Sequence, residues 1–379
     1  MTDTRPEVVV DEAELARRVI EPDQFVADTA AFIDVRIARS KGKASYSFVG
    51  PGVSQNKGQT VNLTEPHGFN VGAASMPHGV VNNPHLHYTA EVFLCTSGSW
   101  RFAIGESGQQ TLDVGAGTVF SAPTWVFRGF ENTGPDDGWL FVVLGGDDTG
   151  GIIWAPTILD EAAETGLYLG ADGALIESLD GAPEAPVISA LSPESLASTD
   201  RYTDEELAAM AVTEDSLAWS DRALLSAVLD GHASSMAPVI GYGLSQDRGS
   251  RSPLTHPHGF SVEWLRLEPG TSTGLHRHGA SQVVFTCQGT VEVTVNDADQ
   301  VSTRPAEGSV VSTPPWAWRS IANVGTTTAM VAVVCGGDGP NRPEWAPDVV
   351  TAAAEAGWML DAAGCVAPRD LVKQQPREK

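Results

Sequence analysis

The chain repeats itself. Shifted by 191 residues, one half of the sequence falls on the other without a gap over a long span. Pro66, His67, Gly68 and Phe69 fall on Pro257, His258, Gly259 and Phe260, and His85 and His87 fall on His276 and His278. Further along, Pro123, Trp125, Arg128 and Asn132 fall on Pro314, Trp316, Arg319 and Asn323, and Trp154 falls on Trp345. Gly50, Gly52, Ser54 and Gln55 find partners in Gly241, Gly243, Ser245 and Gln246. The opening segment DEAELARRVI returns approximately as TDEELAAM, with one further residue of shift. The chain therefore reads as two domains of one kind: residues 1–195, with a core of about 47–155, and residues 196–379, with a core of about 238–346. The join lies near Ser192 to Ser198, at the end of a stretch rich in Pro and Ala.

Within each copy the local pattern is that of strands. WRFAI, TVFSAP and WLFVVLG, with VEVTV, SVVSTP and TAMVAVVCG in the second copy, are short and rich in β-branched and aromatic residues. Turn residues bound each run, and 39 Gly and 24 Pro supply turns throughout. In the opening segment, Asp11 as a cap and Leu15, Val19 and Ile20 at near-helical spacing predict a helix. Each copy closes on one alanine-rich helix. The expectation is an all-β protein, a sandwich or a barrel, with short flanking helices.

The stretch from Gly79 to Gly98 concentrates metal-binding chemistry. His85, His87 and Glu91 form H-x-H-x-x-x-E. Residues two apart on a strand share a face, so both imidazoles point one way, and Glu91 joins them if the strand continues or folds back in register. Two nitrogens and one carboxylate oxygen suit a divalent transition metal and leave positions open for substrate. In the second copy, His276 and His278 are kept, but Gln282 replaces the glutamate, a neutral and weaker set.

These residues resemble the cupin superfamily, in its bicupin, germin-like form. Gly79, His85, His87, Glu91 and Gly98 fit the first cupin motif at every position, and Gly117, Pro123 and Asn132 fit the second. Trp125 stands where that motif has a glycine, and Arg128 stands where it has a metal-binding histidine. Trp316 and Arg319 repeat both departures. The resemblance implies two tandem jelly-roll β-barrels. It also implies metal ligation by His85, His87 and Glu91, and by His276, His278 and Gln282 in the second copy. Arginine has no lone pair to give, so each site keeps at most three protein ligands. In the first copy they are the two nitrogens and one carboxylate of non-haem Fe(II) oxygenases, with Mn, Ni, Co or Zn as alternatives.

Arg128 and Arg319 either enter the site, where an anion must sit between guanidinium and metal, or turn outward to an acidic surface. Trp125, Phe127, Trp316 and Trp318 cluster near them in sequence, as walls of a substrate pocket or as core. His67 and His258 are candidate acid–base groups, or turn histidines that hold backbone carbonyls. The net charge of −25 opposes nucleic acid and anionic membranes as partners. No apolar run approaches the length of a membrane span, and the acidic N-terminus is unlike a signal peptide. Cys95, Cys287, Cys335 and Cys365 form no C-x-x-C pair and read as reduced thiols of a cytoplasmic protein.

The expected function is that of a metal-dependent bicupin oxygenase, an Fe(II) dioxygenase taking dioxygen and a small anionic substrate, aromatic or phenolic. The alternatives are a metal-dependent decarboxylase, lyase or isomerase of bicupin type, and a non-catalytic binding or storage bicupin. The duplicated domains suit a monomer or a homodimer.

Overall fold

A computed structural model of the chain describes residues 8–181 and 183–372. The contacts divide it into two compact units. One runs from Phe25 to Ser216; the other combines the chain up to Gln24 with Leu217 onward.

The Phe25–Ser216 unit holds a seven-stranded and a five-stranded sheet. The larger one centres on Glu91–Ser97, Gly138–Gly145 and Phe69–Met76, all antiparallel. The smaller one runs from Ile152–Trp154 through Val81–His87, Arg128–Asn132 and Ser99–Ile104 to Gln110–Gly115. The second unit repeats the plan with six and five strands. The strands expected from sequence are present, and the closing helices form at Pro156–Glu164 and Pro347–Glu355, each with proline in its first turn, where a missing N–H costs no bond.

The jelly-roll barrels implied by the resemblance are not found. Among the described residues no sheet closes on itself; every strand order runs from one open edge to another. The sheets are joined by their faces. Phe93 and Phe120 of the larger sheet pack on Phe102 and Phe130 of the smaller, with ring centroids 4.4–5.2 Å apart. The second unit does the same with aliphatic chains, Leu265, Val331 and Val333 against Val291, Val293 and Ile321. Apolar side chains alternate inward on facing strands, so burial is satisfied without hydrogen bonds across the sheet edges, and the result is an open sandwich.

The leading segments are placed in a way the repeat alone does not reveal. The helix Glu12–Arg18 forms as expected, with the Asp11 side chain accepting from Glu14 N. Val19 and Ile20 do not continue it. They form a short strand on Val311 and Val310, in the unit built mainly from Leu217 onward. The related segment, the helix Asp204–Ala209 and the strand Ala211–Val212, pairs with Phe120 and Val119 of the other unit. Each segment fills the edge beside a four-residue strand, which offers unpaired N–H and C=O groups to any extended partner.

Candidate metal centre

His85 and His87 share one face of Val81–His87, as the period of two requires. After His87 the chain crosses from the smaller sheet to the larger, and Glu91 begins the next strand. The fold-back brings the three side chains together. One ligand atom from each lies within 4.8 Å of the others, and all three residues are buried. Among the described residues no other group of three His, Cys, Asp or Glu side chains converges this way.

Neighbouring backbone carbonyls set the tautomers. His85 Nδ1 lies 2.7 Å from the Asn83 carbonyl, and His87 Nδ1 lies 3.2 Å from that of Gly151. A carbonyl only accepts, so each Nδ1 carries the proton and each Nε2 is left with its lone pair. Burial, then His87 and Arg128, pushes His85 well below the usual histidine range, with Glu91 opposing, so its ring is neutral. Burial alone would raise Glu91, but His87, Arg128 and His85 bring its carboxyl down to about 2. His87 Nε2 and Glu91 Oε2 stand 3.5 Å apart, and neither has a hydrogen-bond partner among the described residues. Two buried atoms without partners, an imidazole nitrogen and a carboxylate oxygen, suit a divalent cation.

Arg128 pairs directly across the strands with His85, and cross-strand partners share a face. Its side chain is fully buried. Nη2 donates to the Pro123 carbonyl, and Nε lies 3.7 Å from Glu91 Oε2. Burial pulls the guanidinium down to about 10, with Glu91 opposing, so it stays charged at neutral pH. Nε and Nη1 have no hydrogen-bond partner among the described residues.

The second copy arranges the same positions differently. Arg319 Nη1 donates to His278 Nε2 at 3.3 Å, which occupies the lone pair that a metal would need. The Gln282 amide faces Cys335 Sγ at 3.8 Å. His276 and His278 lie nearly parallel, 21° apart with centroids at 6.3 Å, whereas the first pair stands at 68° and 4.8 Å. His276 Nδ1 faces the Gly274 carbonyl at 3.0 Å, and its Nε2 is buried without a partner.

The remaining sequence candidates lie elsewhere. His67 and His258 sit in matching turns. Their backbone N–H groups donate to Asp147 and Asp338, and each Nδ1 faces a carbonyl two residues back at 2.7–2.8 Å. Phe127 is core, packed with Leu86 and Trp154. Trp125 is 46% exposed and meets Tyr88 edge-on. Trp318 stacks under Arg277 at 4.8 Å. Trp125 and Trp316 both have positive φ, 58° and 64°, so the turn keeps the glycine-like backbone that the motif position implies.

His85, His87 and Glu91 line a cavity of about 80 Å³ together with Asn82, Tyr46 and a lysine absent from the sequence reading, Lys43. Lys43 is buried and pairs with the fully buried Asp34; its Nζ also donates to Asn82 Oδ1 at 2.6 Å. Asn83 donates to Asp34 and to Ser40 at 2.9 and 2.6 Å. A signal for this group was present in the repeat: Lys43 falls on Ser234, Asn82 on Thr273 and Asn83 on Gly274, so the charge belongs to one copy alone.

Comparison with known proteins agrees with this architecture. A cupin-domain family matches residues 263–335. An oxalate decarboxylase from Lactobacillus farciminis, solved as a formate complex, is similar at 13% identity over 88% of this chain and 89% of its own, with a TM-score of 0.54. Vicilin from Capsicum annuum is similar at 9% identity over 87% and 88%, with a TM-score of 0.53. The oxalate decarboxylase of Bacillus subtilis, studied for its Mn(II) centres, is similar at 14% identity over 89% and 80%, with a TM-score of 0.50. No curated protein matches the sequence.

Proposed function

With a cupin domain set in a two-cupin fold as the premise, we propose that this chain is a metal-dependent enzyme acting on a small carboxylate, a lyase or decarboxylase, with its active centre in the Phe25–Ser216 unit. The observation that carries the proposal is the buried cluster of His85, His87 and Glu91, with two of its donor atoms unsatisfied. These three residues would hold the cation. Bound there, a divalent ion supplies Lewis acidity toward a substrate oxygen and fixes the orientation of the substrate.

The protein's own groups do the rest. The carbonyls of Asn83 and Gly151 keep both Nε2 atoms deprotonated and aimed inward. Arg128, charged and with two N–H-bearing nitrogens unpaired, faces the same carboxylate and offers donors to an anionic substrate. A cavity of about 80 Å³ favours small molecules, and the burial of its polar lining strengthens each of these electrostatic contacts.

Two of the similar structures named above are oxalate decarboxylases, one of them described by its Mn(II) centres. This supports Mn(II) and carbon–carbon cleavage over the Fe(II) dioxygenase that the three-ligand set suggested. The cation is assigned to the first copy, because in the second Arg319 occupies His278 Nε2. Among the described residues no helix is long and apolar enough to cross a membrane, and the four cysteines are unpaired, in keeping with a reducing compartment.

The test is metal analysis of protein purified without added metal, followed by product detection with a panel of small mono- and dicarboxylates under nitrogen and under air. About one divalent ion per chain and CO2 release under both gases are expected. Protein that binds no Mn(II) sinks the metal-enzyme reading, and turnover that requires dioxygen restores the oxygenase.

A further inference from the structure

Lys43 is a buried charge that the fold does not require. Its partner Asp34 has no exposed side-chain surface, and the lysine is 7% exposed. A buried ion pair is in general no more stabilising than uncharged residues in its place. The chain contains its own control. In the second unit the corresponding strand begins at Ser234 and forms the same antiparallel pairing without a lysine. The position of Asp34, judged by the glutamine contacts of the two leading segments, is taken there by Ser226, which donates to the Thr273 carbonyl. The architecture is therefore built once with the pair and once without it. The pair accompanies the copy whose histidines and glutamate converge.

The ammonium is also incompletely used. It has three protons; Asp34 and Asn82 accept two, and the third has no acceptor among the described residues. Phe32 and Trp154 lie 5.0 and 5.8 Å from Nζ and offer only ring faces. Lys43, Asn82, His85, His87 and Glu91 all line one cavity. The charges nearby cancel in pairs, Lys43 with Asp34 and Arg128 with Glu91. A divalent cation would leave the site with two positive charges to be balanced.

We propose that Lys43 is the second anchor of the site: its free N–H binds one carboxylate of a small dicarboxylate whose other end reaches the cation held by His85, His87 and Glu91. This deepens the reading of the metal centre and rests on it. Asn82 stands between the two ends: its Oδ1 accepts from Lys43, and its amide nitrogen lies 3.4 Å from His85 Nδ1 without bonding to that protonated nitrogen. Lys43 selects for a second negative charge, and Arg128 supplies donors beside the cation.

The experiment is calorimetric titration of the Mn(II)-loaded full-length protein with oxalate, malonate and succinate, and with acetate as the monocarboxylate. It uses wild type, Lys43→Met and the double variant Asp34→Asn with Lys43→Met, which leaves no buried charge unpaired if the single variant fails to fold. The variants are expected to keep wild-type Mn(II) affinity. They should lose at least about tenfold in affinity for the dicarboxylate that wild type binds best, while acetate changes by less than about threefold. Equal losses for both classes, unchanged dicarboxylate affinity, or a wild type that prefers no dicarboxylate overturns the anchor. If wild type binds no Mn(II), the metal reading falls by itself. Lysine-dependent dicarboxylate binding by that metal-free protein would still support Lys43 as an anion site, and its absence would remove that too.

Discussion

At the scale of single residues, the two copies differ most in their buried carboxylates. Glu91 faces Arg128 and the two histidines, which hold its carboxyl down at about 2 against the effect of burial. Glu91→Gln keeps the shape and removes the charge, so Mn(II) affinity should fall about a hundredfold or more, as read by the EPR signal of free Mn(II). An unchanged affinity would mean that the histidines do not act with Glu91. Glu263 has the opposite environment. It is fully buried in the other unit, and burial pushes it up to about 7 although Leu244 and Ser245 N–H groups donate to it. Its carboxyl carbon lies 2.0 Å from where residue 243 would carry a Cβ, so any larger residue there would have to displace it. The folded-state value is raised, so its contribution to stability is full below about 4.5 and is lost as the pH rises through about 7. The loss amounts to roughly 3 kcal/mol. Glu263→Gln should accordingly gain on wild type by up to that amount between pH 5 and pH 8, measured as the difference between their urea unfolding free energies. Histidine titrations are common to both proteins and cancel in the difference. A gap that stays constant with pH would show that Glu263 is ionised throughout.

At the scale of elements, the strands and closing helices were legible because β-branched runs, alternation and turn residues all agree on them. The metal strand was legible too, since H-x-H on a strand fixes a shared face whatever lies around it. Three things were not. Val19 and Ile20 continue a helical spacing, yet they are extended, because an apolar pair at the end of a helix reads the same whether it turns once more or meets an open edge. Trp125 and Phe127 read as pocket walls or as core, because sequence does not say which side of a turn faces the cavity; Phe127 is core and Trp125 is half exposed. Lys43 was invisible as a single residue and visible only as a difference between copies. The leading segment also gives a test. Leu15 is 2% exposed and belongs to the core of the unit that begins again at Leu217, some two hundred residues later. Leu15→Ala should cost about 2–4 kcal/mol. Hydrogen exchange should show faster opening at Val310–Thr313, whose edge the segment covers, with no change at Val119–Ala122. Equal loss at both strands would contradict the assignment of this segment to one unit.

At the scale of the whole molecule, the repeat announced two domains of one fold, and two open sandwiches with a shared plan are what the chain forms. The repeat could not announce that the copies have diverged in chemistry. That depends on whether Arg128 meets a glutamate or Arg319 meets a histidine, and on a lysine held by one copy. Nor does self-similarity tell which unit a leading segment completes, since either copy offers the same edge. The consequence is that the segment from Val10 to Ile20 is held by burial to the unit that resumes at Leu217. Val10, Leu15, Val19 and Ile20 are 1–7% exposed, all within the unit that resumes at Leu217. Four buried aliphatic chains contribute roughly 6–12 kcal/mol in gross burial, reduced by the entropy of ordering the segment. Holding two pieces together at micromolar concentration takes about 8 kcal/mol, which lies inside the gross range before that entropy is subtracted. A protease site inserted between Ser216 and Leu217, beside the exposed Asp215 and Ser216, divides the chain into pieces of which the first carries the segment and the second carries its cradle. After cleavage the pieces should co-elute in size exclusion at micromolar concentration and separate when Leu15 and Val19 are both changed to Ala. Immediate separation of the otherwise unaltered cleaved protein would show that the segment contributes less than its burial implies.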